Sequence, residues 1–147
     1  MIIQTIFIFL WIYAAMIATS FWEAYVEGKN PWDKGKLGWK IHCKGKVILT
    51  AYHFWLFIIM YPLLLAIPFL LYGFDLRLFG IILSAYVSGL MVEDFFWFIV
   101  NPYYGLKHWN PEHVHWYPWF QLGKFHIPVY YVLNIIVAGL SWYFLWR

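Results

Sequence analysis

Four long apolar runs, at residues 2–22, 47–72, 76–100 and 127–146, leave this chain few folds to choose from. Each reaches the ~20 residues that a helix needs to cross a bilayer, and helices are predicted over roughly 2–26, 47–72, 76–100 and 127–146. Too little chain lies between them for a separate soluble domain, so residues 1–147 are read as one transmembrane unit. The expected fold is an all-α integral membrane protein. Its four helices form a small bundle, with an aromatic and His-rich interfacial loop between the third and fourth.

Composition agrees. The chain is 64% hydrophobic, 25% aromatic and only 12% charged, against about 25% charged in soluble domains. Many of the Trp and Tyr residues flank the apolar runs, as an interfacial belt does. The first run has no Lys or Arg before it and is long for a cleaved signal, so it is expected to be retained. Cys43 is the single cysteine, which excludes an intrachain disulfide and any cysteine-rich metal site.

Lysine placement sets the expected orientation. The loops at 23–46 and 101–126 hold Lys29, Lys34, Lys36, Lys40, Lys44, Lys46, Lys107 and Lys124, while the opposite side has Arg77 and Arg147. Both long loops are therefore expected in the cytoplasm and both termini outside. The basic stretch 28–46 suits anionic lipid headgroups. No nucleic-acid partner is expected, and self-association into a homo-oligomer stays open.

Glu93 and Asp94 stand inside the third apolar run. A carboxylate in hydrocarbon is costly, and such a residue reads by default as functional. Small residues mark the faces that pack: Gly80, Ser84 and Ser88 form one ridge of the third helix, while Ala85 and Gly89 form another that continues into Glu93. In the first helix Ala15 and Thr19 lead to Glu23 and then Glu27. His53 is expected about two turns into the second helix, and Asn134 about two turns into the fourth. At ~1.5 Å per residue these groups lie within about 10 Å of one membrane level. His108, His113 and His115 lie in the loop on the same side.

Carboxylates and imidazoles on facing helices build metal sites in bundle cores. The leading expectation is a small metal-dependent membrane enzyme acting on a lipid-like or other apolar small molecule at the cytoplasmic leaflet. A divalent metal, iron or zinc, would be held by Glu23, His53, Glu93, Asp94 and one or two of His108, His113 and His115. Glu27 and Asn134 would orient a ligand or a bound water. The alternative is a non-enzymatic proton- or ion-handling subunit in an oligomer, since intramembrane acids also mark proton relays. A bis-histidine haem protein ranks last, because only His53 lies clearly inside a helix. Each acid also has a plain structural reading, as a protonated, hydrogen-bonded lock between helices. There is no nucleotide-binding Gly loop, nucleophile elbow or His-Glu-x-x-His zinc helix.

Overall fold

The computed structural model describes residues 2–43, 45–123 and 125–147. It is mostly helical, and four helices are long and apolar enough to cross a membrane: α1 (Ile2–Glu27), α2 (Ala51–Tyr72), α3 (Leu76–Val100) and α4 (Val129–Trp146). Their outer faces are apolar. Trp11 is 81% exposed and Leu70 83%, and a continuous surface of this kind suits lipid rather than water.

Helix α3 is the centre. Its small residues let neighbours approach to backbone contact. A Cβ built on Gly89 would sit 3.0 Å from Met16 Cγ of α1, and one on Gly80 would sit 2.6 Å from Leu145 Cβ of α4. Hydroxyls fasten the same seams. Ser20 Oγ donates to Glu93 O (2.8 Å) and Tyr13 OH to Ser88 Oγ (2.8 Å) across α1–α3. Ser141 Oγ donates to Gly80 O (2.9 Å) and Ser84 Oγ to Ala138 O (3.1 Å) across α3–α4. Helix α2 is held differently, by large aromatic side chains. Tyr86 OH donates to Phe57 O, Tyr61 OH meets Thr19, and Trp22 stacks on Tyr52 at 5.8 Å. Residues 54–60 of α2 are π-helical, a form common at functional sites.

Two antiparallel hairpins depart from the all-α expectation. Strands β1 (Lys40–Cys43) and β2 (Lys46–Thr50) pair with Lys40 opposite Thr50. Strands β3 (Trp119–Leu122) and β4 (Phe125–Pro128) pair with Trp119 opposite Pro128. Both return directly into a helix, so α2 begins at Ala51 rather than 47 and α4 at Val129 rather than 127. Residues 46–50 are apolar enough to extend the helix on paper, but Val47 and Ile48 are β-branched and favour a pleated surface. Thr50 then caps α2 by accepting from His53 N–H at 3.3 Å. His53 is consequently the third residue of its helix instead of lying two turns in.

Candidate functional site

The ends of α1, α2 and α3 that meet the hairpins enclose a cavity of about 570 Å³. Glu23, Glu27, His53, Glu93 and Asp94 all line it. The two small-residue ridges explain why. Following them to Glu23 on α1 and Glu93 on α3 turns both acids inward, where they are 4% and 6% exposed. Both carboxyl groups line the cavity from facing helices. One oxygen of each, Oε1, is nevertheless buried with no hydrogen-bond partner. The Tyr52 hydroxyl lies beside Glu23 but makes no hydrogen bond of acceptable geometry.

His53 faces this pair from α2. Its Nε2 is 4.0 Å from Glu23 Oε1 and 3.9 Å from Glu27 Oε1, too long for hydrogen bonds. Its Nδ1 is held by Thr50 Oγ1 at 2.6 Å, and the Trp32 ring lies 4.1 Å away, centroid to centroid. Trp32 carries φ +59°, a left-handed conformation that is strained for a bulky residue. The strain aims its backbone N–H at Glu27 Oε1 (3.1 Å), while its indole donates to Val47 O (2.7 Å). Lys36 completes the Glu27 environment. Its Nζ is 3.0 Å from Oε1, and the two side chains are only 10% and 5% exposed.

Asp94 occupies a separate corner. Tyr131 OH donates to its Oδ2 at 2.7 Å, and Tyr117 OH reaches the same atom at 3.5 Å. Burial, and then the adjacent Asp94, hold the Tyr117 phenol far above its ordinary pKa, so it stays a neutral donor. Asp94 is thus an acceptor already engaged by tyrosines.

The loop before α4 closes the cavity at its hairpin end. Val114 is fully buried in one cluster with Ala24, Trp97 and Phe98, and Trp116, Tyr117 and Pro118 line the cavity wall. On the opposite side, Ile58 of α2 and Leu133 of α4 line it too, and each is about half exposed to the apolar surroundings. The cavity therefore reaches the molecular surface at Ile58 and Leu133, and also at Ile48 of β2, which lines it and is 47% exposed.

The remaining expected residues lie elsewhere. His108 and His113 pair with each other, ring centroids 4.8 Å apart, and His113 Nδ1 bonds Asn110 Oδ1 at 2.9 Å. Desolvation, then His113 and Lys107, lower the pKa of His108. His115 is exposed, and neither these three histidines nor Asn134 are among the cavity-lining residues. Among the described residues, no group of three or more His, Cys, Asp and Glu side chains is arranged to hold a metal ion. Trp32, Lys36, Trp97, Tyr117 and Tyr131 are the site residues that sequence reasoning passed over. No protein-family model matches the chain, and neither a curated protein nor a solved structure does.

Proposed function

We propose that this chain is a small multi-pass membrane enzyme acting on a lipid-like or apolar small molecule that enters the cavity from the bilayer. The observation that carries the reading is the Glu23–Glu93 pair. It presents two unpartnered carboxyl oxygens to an apolar chamber, with His53 Nε2 4.0 Å from one of them. Such a set places a proton donor beside a proton acceptor, the requirement for general acid–base catalysis. Thr50 and Trp32 fix the imidazole, Lys36 and the Trp32 amide fix Glu27, and the aromatic loop keeps bulk water out.

A second form of the reading has the same anchor. Glu23, Glu93 and His53 offer oxygen and imidazole donors of the kind that bind iron or zinc. The free oxygens and the unbonded Nε2 favour it, and a bound divalent ion would supply an activated water or oxygen there. The non-enzymatic, ion-handling alternative needs a polar path along the rest of the bundle. There Ser84, Ser88 and Ser141 are spent on backbone carbonyls, which favours the enzyme. The Lys-rich loops are assigned to the cytoplasm on charge alone.

The test is turnover. Protein in nanodiscs is incubated with a lipid extract of its source membranes, and the extract is profiled by mass spectrometry before and after. At least one species should be converted, and Glu93→Gln should slow that conversion by ~100-fold or more. Repeating it with chelator or with added iron or zinc separates the two forms. No converted species under any condition, or equal rates from an equally folded Glu93→Gln protein, would overturn the proposal.

A further inference from the structure

The acids inside the cavity are unequally partnered. Glu27 is paired with Lys36, and Asp94 is satisfied by tyrosine hydroxyls. Among the described residues, no Lys or Arg forms an ion pair with Glu23 or Glu93. The two side chains are more than nine-tenths buried, line the cavity, and each leaves Oε1 without a partner. Buried acids in this situation take either a proton or a counter-charge bearing hydrogen-bond donors.

The walls suit the same visitor. Trp32, Trp97, Trp116, Tyr117 and Tyr130 bring aromatic rings to the cavity, and ring faces attract cations. Beyond them Ile58, Leu90 and Leu133 continue the lining in hydrocarbon, and Ile58 and Leu133 are about half exposed at the surface. The complement is a molecule with an ammonium head and an apolar body.

We propose that the cavity binds amphiphilic amines, with Glu23 and Glu93 receiving the ammonium N–H groups and the aromatic wall enclosing the head. This rests on the reading of the cavity as a substrate chamber and names the class of substrate it takes. Equilibrium dialysis tests it with the full chain in uncharged phosphatidylcholine nanodiscs, against empty nanodiscs. Tritiated dodecylamine, cationic at pH 7, is compared with dodecanol of the same chain length. The amine should saturate one site at least ~10-fold more tightly than the alcohol, the worth of a charge-assisted hydrogen bond. The double variant Glu23→Gln/Glu93→Gln should erase that preference, and saturable binding of the alcohol, whatever its affinity, reports that the cavity is intact. Glu112→Gln, at an exposed loop position outside the cavity, should change neither. Equal affinity for amine and alcohol would overturn the inference and leave the chamber reading standing. An amine preference that survives in the double variant would overturn it by placing the cation elsewhere. Binding of neither probe would overturn it as well, and the turnover assay would then decide separately on the chamber.

Discussion

Lys36→Met removes the ammonium group that balances Glu27. Lys36 Nζ lies 3.0 Å from Glu27 Oε1 and donates to Asn30 O at 2.9 Å, with the two side chains 10% and 5% exposed. An exposed ion pair contributes only ~0.2–1 kcal/mol, whereas removing one partner of a buried pair costs ~3–5 kcal/mol because a charge is left unpaired. Glu27 keeps the Trp32 N–H as a donor at 3.1 Å, so the lower end, about 3 kcal/mol, is expected for Lys36→Met. The double variant Glu27→Gln/Lys36→Met leaves no charge behind and should return to within about 1 kcal/mol of the parent. Equilibrium unfolding in mixed micelles with rising dodecyl sulfate measures both, and with the single variant Glu27→Gln the four proteins form a double-mutant cycle. A Lys36→Met loss below about 1 kcal/mol would mean that water reaches the pair. A double variant no better than the single would show that Lys36 acts through packing alone. Either result would refute the reasoning.

The α1–α3 seam should be equally sensitive. Gly89→Val adds bulk where Met16 Cγ is already 3.0 Å from a bare Cβ, and overpacking of this kind costs ~1–3 kcal/mol; unchanged unfolding would show that the helices are not in contact there. Asn101→Ala deletes the Nδ2 donation to Gly28 O (3.0 Å) and the acceptor for Tyr103 N–H (2.9 Å). It should lower stability by about 1–3 kcal/mol in the same assay, since a part-buried carbonyl loses its donor. Cys43 is a free, exposed thiol in β1. It should resist an impermeant maleimide in intact cells and react in inverted vesicles, if the Lys-rich loops face the cytoplasm; labelling from outside would reverse the orientation.

Much of the site could be read before any coordinates because small residues at helical spacing mark a packing face. The line from Ala15 through Thr19 led to Glu23, and the line from Ala85 through Gly89 led to Glu93; both acids line the cavity. Asn134 does not line the cavity, and in α4 it is Tyr131 and Ser141 that bond α3. The first hairpin was hidden because residues 47–49 are as apolar as the helix they precede, and composition does not distinguish a short strand from a helical extension. Lys36 read as a headgroup lysine, since only the fold brings its ammonium under Glu27. Trp32 read as an interfacial anchor, and its positive φ has no signature in the sequence. His113 and His115 flank Val114, and burying Val114 leaves both histidines on the outside.

Whether an apolar molecule enters the chamber from the bilayer can be measured directly by photo-crosslinking. A long-chain alcohol carrying a diazirine is added to the protein in nanodiscs, illuminated, and its adducts are located by peptide mass spectrometry. Trp97 and Tyr117 line the cavity and are only 5% and 9% exposed, so lipid outside the bundle does not reach them. If the chamber is a substrate site, both residues should carry adducts, and Leu90→Trp, which fills the cavity, should remove them while labelling of lipid-facing Trp11 persists. Adducts confined to outward residues such as Trp11, with none on Trp97 or Tyr117, would contradict it.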